Sequence, residues 1–220
     1  MSIAVLCDFD DTITRENVAH LILDRFGDKS WREVRRRFLE GTIPPQDYFE
    51  RQFNLIGATR SEMQAYVRER GSMRDGFPAL ARYCQQRGIE LAVITLGLDF
   101  YVQAFLEQQG LGWLPVYAVG TRFTEEGIQF DFPYASKECR SWGICKCSVV
   151  ERYHQMGHRV IYVGDGRNDL CPARKSDIVF ARGELVELCR QEGLVCQELR
   201  EFGEVVEELE RCSLARPKES

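Results

Sequence analysis

The chain has 220 residues, 44% of them apolar, which suits one medium domain with a modest insertion and a real hydrophobic core. Its formal net charge of -5 argues against nucleic acid or an anionic membrane as partner, because both require a basic face. No apolar run approaches the ~20 residues that span a bilayer, and residues 1–7 lack the basic start and long apolar stretch of a secretory leader, so a cytoplasmic protein is expected.

Residues 3–9 form a short apolar run that meets acids, the pattern of a buried parallel strand. From residue 15 the composition changes. Val18/Leu21/Ile22/Phe26 and Val34/Phe38/Leu39 recur at helical spacing, with breaks at Gly27, at 41–45 and at Gly57. Residues 15–75 therefore read as a helical cap inserted after the first strand, with residues 1–14 and 76–220 forming the core. A helix is expected over 78–86, a strand over 89–95, a turn at Leu96-Gly97 and a helix over 99–109. Residues 116–132 alternate around a Glu-Glu-Gly turn and read as a hairpin. Then come a helix over 146–154, a buried strand over 159–163 ending in Gly-Asp, a strand over 178–181, helices over 184–191 and 203–211, and a frayed tail over 215–220. Strands alternating with helices predict an α/β domain with a parallel sheet, whose chemistry gathers at the carboxyl ends of the strands.

Three of those ends carry suggestive residues: Asp8 and Asp10, Thr95, and Asp165. Phosphate monoesters are among the slowest substances to hydrolyse in water. A carboxylate divides the work by taking the phosphoryl group as an aspartyl-phosphate. Such a site also needs a metal to reduce repulsion between anions, donors to hold the phosphoryl oxygens, and an acid for the leaving alkoxide. Asp8 is the candidate nucleophile. Asp10, two residues on, is the candidate acid and then base, with the Thr12 hydroxyl to orient it. Mg²⁺ prefers oxygen ligands; Asp8, the Asp10 carbonyl and Asp165 would supply them. Thr95, the Gly97 amide and Lys146 are candidates to hold phosphate, and Asn168 and Asp169 lie one helical turn past Asp165.

In order, Asp8-Phe-Asp-Asp-Thr12, Thr95, Lys146 and Gly164-Asp-Gly-Arg-Asn-Asp169 resemble the four motifs of the haloacid dehalogenase (HAD) superfamily of phosphohydrolases. The resemblance covers almost the whole chain. It implies a Rossmann-like core with a helical cap, a Mg²⁺-dependent phosphatase, Asp8 as nucleophile, Asp10 as acid and base, and Asp8, Asp10 and Asp165 as metal ligands. It also implies phosphate contacts from Thr95, Gly97, Lys146 and Asn168, with Asp169 in support. Dehalogenases of the superfamily usually lack the second acid of the first motif, so Asp10 points to phosphoryl transfer.

A narrower resemblance rests on Gly97-Leu-Asp-Phe-Tyr-Val102, Phe132-Pro-Tyr-Ala135, Gly143-Ile-Cys-Lys146 and Phe180-Ala-Arg-Gly183. These stretches look like the branch that holds the methionine-salvage phosphatases. Phosphoserine phosphatases are cousins that carry a Glu nine residues after the nucleophile to bind the substrate amine. That place here is Asn17, which counts against phosphoserine and is also similar to phosphoethanolamine and phosphocholine phosphatases. The expected substrate is a small phosphorylated metabolite. A phosphotransferase with the same nucleophile and a non-catalytic binding protein on the same scaffold are the rivals.

Asp11 stands where the superfamily more often has a small residue. The nine cysteines are odd in number and mostly scattered, which predicts reduced thiols; the group Cys139, Cys145 and Cys147 is read as packing, not as a metal site. Of the basic run Arg32, Arg35, Arg36 and Arg37, one member is a candidate to attract an anionic substrate, and Arg167 is a candidate substrate contact.

Overall fold

The computed structural model describes residues 2–136 and 143–214; Cys139 and the expected tail lie outside the described residues. The first apolar run is strand β1 (Ser2–Cys7), and an irregular turn, Phe9–Ile13, follows it. Four helices come next: α1 (Val18–Phe26), α2 (Trp31–Leu39), α3 (Pro45–Phe53) and α4 (Arg60–Arg70). Their starts follow local chemistry. The Asn17 side chain accepts the His20 amide at 3.1 Å, Pro45 opens α3, and Thr59 and Glu62 cap each other's backbone amides at the start of α4.

The rest alternates as expected: α5 (Phe77–Arg87), β2 (Glu90–Leu98), α6 (Asp99–Gln108), the hairpin β3 (Val116–Thr124) and β4 (Gly127–Asp131), α7 (Lys146–Gln155), β5 (His158–Gly164), α8 (Leu170–Lys175), β6 (Ile178–Ala181), α9 (Gly183–Gln191), β7 (Gln197–Glu198) and α10 (Gly203–Leu214). The expected turn at Leu96-Gly97 is instead the end of β2, where the pairing with β3 slips between Ile94 and Leu98. The described strands form one sheet in the order β4-β3-β2-β1-β5-β6-β7, parallel except for β4. Period-two alternation splits β1 between two cores. Val5 and Cys7 face α5, α6 and α10, whereas Ala4 and Leu6 face α7. The sheet is thus covered on both sides, as parallel sheets require.

The four-helix insertion rests on two supports. On one side α4 lies on α6, with Gln64 Nε2 donating to the Phe100 carbonyl at 2.8 Å and Arg68 Nε to that of Ala104 at 3.3 Å. On the other, α3 meets the hairpin: Phe49 and Phe53 pack on Phe130, and Asn54 accepts the Ile128 amide at 2.8 Å. Its two ends meet. The Arg15 amide donates to the Ser72 carbonyl at 2.9 Å, and Thr14 bridges to Met73. Arg74 then binds the carbonyls of Thr12, Asp11 and Thr14 at 3.1, 3.2 and 3.3 Å.

One expectation needs correction. Cys147 and Cys171 are paired as a disulfide between α7 and α8, with their Cα atoms 6.2 Å apart, so the thiols are not all reduced. The two helices pack side by side, a proximity that a spacing of 24 residues does not reveal. Six other described cysteines are free.

Candidate active site

Strand β1 lies between β2 and β5, and Cys7 pairs with both Val93 and Val163. The three chains therefore leave the sheet at one edge and deliver Asp8, Thr95 and Asp165 together. The Asp8 amide still donates to the Val163 carbonyl at 2.9 Å, so Asp8 sits one residue past the strand and is only 4% exposed.

Lys146, the first residue of α7, reaches into this floor. Its Nζ lies 2.5 Å from Asp8 Oδ1 and 2.6 Å from Asp169 Oδ1, with Lys146 3% and Asp169 0% exposed. Asp169 is the most heavily bonded member. Its Oδ1 also accepts the Tyr162 hydroxyl at 2.6 Å, and its Oδ2 accepts the amides of Asp165 and Gly166, each at 3.0 Å. Gly164 leaves room for this carboxylate, because a Cβ there would lie 2.6 Å from Asp169 Cγ. The Thr12 hydroxyl faces Asp8 Oδ2 at 3.2 Å and Asp165 Oδ1 at 3.1 Å. Thr12 thus does not orient Asp10, as its place in the sequence suggested; the Val18 amide does, at 2.6 Å from Asp10 Oδ1. The Gly97 amide donates to Thr95 Oγ1 at 2.9 Å, so Thr95 rather than a ligand holds it here, and the Thr95 proton is the free donor of the pair.

Burial raises the acids. The Asp8 carboxyl is pushed up to about 6 by desolvation, with the Asp169 charge adding to this and Lys146 opposing it. Desolvation, then the charge of Asp8, pushes Asp10 to about 8. Asp165 is pushed to about 8 by desolvation and by Asp8 and Asp169. Burial works against the Lys146 charge, but Asp169 and Asp8 outweigh it and hold its ammonium above the ordinary range. One lysine thus serves a floor of mutually repelling carboxylates. Oxygens of Asp8, Asp165 and Asp169 all lie within 4.8 Å of one another, an arrangement that fits a divalent cation. The Asp169 oxygens already accept four hydrogen bonds, so Asp8 and Asp165 keep the open lone pairs.

Above this floor lies a cavity of about 560 Å³, walled by the insertion. Asp8, Asp10, Thr95, Gly97, Asp165 and Asn168 line it from the sheet side, whereas Lys146, Thr12 and Asp169 stand behind them. The opposite wall holds His20, Arg35, Tyr48 and Gln52 among Phe38, Phe49 and Phe53. Burial, then Arg35, pushes the His20 imidazole down to about 4, so it is neutral at pH 7. Of the basic run, Arg32 pairs with Asp24, and both Arg35 and Arg36 line the cavity, Arg36 paired with Glu33 and Glu40 and Arg35 with no ion-pair partner among the described residues. Arg167 lies at the rim, bonded to Glu184 at 2.9 Å. Asn17 is committed twice, to the His20 amide and, through Nδ2, to Asp11 at 3.3 Å. Asp11 itself has φ 61, the one positive value of a non-glycine among the described residues, a conformation Asp tolerates better than most.

Sequence reasoning placed the strand-end residues but missed Tyr162, Arg74 and the phenols of Tyr48 and Tyr101. A signal existed for Tyr162 alone, a polar residue inside an otherwise apolar strand.

Known proteins resemble this chain along most of its length. A curated protein of Exiguobacterium sibiricum named 2-hydroxy-3-keto-5-methylthiopentenyl-1-phosphate phosphatase is 28% identical over 217 residues, covering 96% of this chain and 97% of its own. A relative of the same name from Bacillus thuringiensis subsp. konkukian is 30% identical over 215 residues, covering 95% and 96%. Among solved structures, a phospho-aspartyl intermediate analogue of phosphoserine phosphatase superposes with a TM-score of 0.65 at 19% identity, covering 94% of this chain and 98% of that one. A phosphoserine phosphohydrolase-like protein from Francisella tularensis gives 0.68 at 20% identity, covering 97% and 100%. These likenesses establish the fold. The haloacid dehalogenase-like hydrolase family matches residues 5–174, from within the first strand to past the last of the converging acids, and the chain belongs to that family.

Proposed function

We propose that the protein is a Mg²⁺-dependent phosphomonoesterase that acts on a small phosphorylated metabolite through a phosphorylated Asp8. The observation that carries this is Asp8 itself: a buried carboxylate beneath a cavity, held by Lys146 on one oxygen and Thr12 on the other. Asp8 would attack phosphorus while Asp10 gives its proton to the leaving oxygen; Asp10 then takes a proton from the water that hydrolyses the acyl-phosphate. The raised Asp10 carboxyl suits an acid that must carry that proton at neutral pH. Thr95 and Lys146 would hold phosphoryl oxygens, with Asn168 at the cavity edge and Gly97 once its amide turns from Thr95. Asp169 would position Lys146. Asp8, Asp165 and the Asp10 carbonyl would hold Mg²⁺, which supplies charge neutralisation for the transferring group. Residues 15–75 would act as the cap that chooses the substrate.

The relatives' names make the methionine-salvage ester 2-hydroxy-3-keto-5-methylthiopentenyl-1-phosphate the leading substrate. The aromatic wall of Phe38, Phe49 and Phe53 supports an apolar tail, and Asn17 offers no negative charge for the amine of phosphoserine. The test is phosphate release in Mg²⁺ from this ester and a panel of phosphorylated metabolites. Asp8→Asn should lower turnover at least ~10³-fold; undiminished turnover would remove Asp8 from the mechanism.

A further inference from the structure

Among the described residues, four buried side-chain polar atoms lack a hydrogen-bond partner, and only one of them, the Tyr101 hydroxyl, belongs to a residue that lines the cavity. Tyr101 stands in the first turn of α6 and is 0% exposed. Its position is narrowly fixed. A Cβ on Gly97 would lie 2.7 Å from Tyr101 Oη and 3.1 Å from Thr95 Oγ1, so the hydroxyl adjoins the corner where phosphate would sit. Asp10 acts on the phenol more strongly than Asp8 does, and Tyr48 of the insertion also bears on it. Tyr101, Asp10 and Tyr48 line the same cavity, so a ligand oxygen beyond the ester bond can meet this hydroxyl. The Leu98 amide faces its oxygen, which leaves the hydroxyl proton as the unspent member.

A buried hydroxyl proton without an acceptor costs stability. A partner that arrives with the ligand removes that cost. Asp10 is occupied with the ester oxygen in the mechanism above, and Thr95 and Lys146 with the phosphoryl oxygens. The next atom outward is a substituent on the carbon beside the ester carbon. We propose that Tyr101 Oη donates a hydrogen bond to a carbonyl or hydroxyl oxygen at that place, so that the enzyme selects phosphate esters oxygenated next to the ester carbon. This rests on the phosphatase reading and narrows its substrate class, with the Phe38, Phe49 and Phe53 side of the cavity taking what lies beyond.

The test pairs hydroxyacetone phosphate with propyl phosphate, which differ at the carbon in question, and compares wild type with Tyr101→Phe in Mg²⁺. Asp8→Asn serves as the blank. The ratio of kcat/KM for the ketone ester to that for the alkyl ester should fall about tenfold in the variant, since a site built around a substrate oxygen discriminates strongly against its absence. An unchanged ratio or an equal loss on both esters overturns the proposal. Absence of Asp8-dependent phosphate release from either ester by the wild type would instead overturn the phosphatase reading, and the proposal with it.

Discussion

Replacing Lys146 with methionine keeps the length of the side chain and removes the only cation in contact with Asp8 and Asp169 among the described residues. At 2.5 Å the gross attraction of one such pair is about 7 kcal/mol at an effective dielectric of about 20. The net cost is smaller, because an abandoned carboxylate sheds its charge by binding a proton. That escape costs about 1.4 kcal/mol for each unit between the working pH and the ordinary carboxyl value of 3.8. It amounts to about 4 kcal/mol at pH 7 and about 2 kcal/mol at pH 5. Lys146→Met should therefore destabilise the metal-free protein by about 3–4 kcal/mol at pH 7, within the range for breaking a buried pair, and by about 1–2 kcal/mol at pH 5. Urea unfolding in chelator at both pH values measures this, with wild type at the same pH as reference. A loss below about 1 kcal/mol at pH 7, or an equal loss at the two pH values, would refute the reasoning.

The raised carboxyls of Asp8 and Asp165 set a pH dependence for metal binding. Their folded values, about 6 and about 8, lie above the unfolded 3.8, so the stability that their protonated forms contribute is full below about pH 4 and erodes as pH rises through those values. A bound divalent cation reverses that loss, so the Mg²⁺-induced rise in melting temperature should be larger at pH 8 than at pH 5.5; a shift equal at both would count against these ligands. Asp10→Asn should slow phospho-enzyme formation most for esters with poor leaving groups, measured by rapid quench against an aryl and an alkyl phosphate, and equal slowing of both would remove Asp10 as the acid.

The fold was legible wherever periodicity and length agreed. The three converging strands carry dense apolar runs that end in acids or threonine, and the α/β alternation puts them in a parallel sheet, though not in their order β2-β1-β5. The four-residue β6 was legible because it is wholly apolar. Short polar elements were not: α8 contains Pro172, and the two-residue β7 has no pattern to detect. In the site, chain position sufficed for residues at strand ends and failed for contacts across the fold. Thr12 looked like a local partner of Asp10, yet its hydroxyl faces Asp165, 153 residues away. Asp169, one helical turn past Asp165, reads as facing the same cavity, yet three hydrogen-bonding neighbours besides Lys146 draw it behind the floor, where it bonds Lys146. Arg35 and Arg36 could not be told from the rest of the basic run, because only the packing of α2 decides which arginines line the cavity.

The clasp at the base of the insertion has a consequence for how such a protein diversifies. The chain leaves the core at Arg15 and returns at Ser72, where the Arg15 amide donates to the Ser72 carbonyl at 2.9 Å. To the sheet, the whole helical block is therefore equivalent to a tight turn. Closure entropy grows only with the logarithm of the length enclosed, so exchanging this block for a longer or shorter one costs the catalytic half little. Arg74, which ties down the carbonyls of Asp11, Thr12 and Thr14 from just outside the clasp, keeps the acidic loop in place whatever the block contains. If the helical block chooses the substrate, as proposed above, recognition can then change without the chemistry being rebuilt.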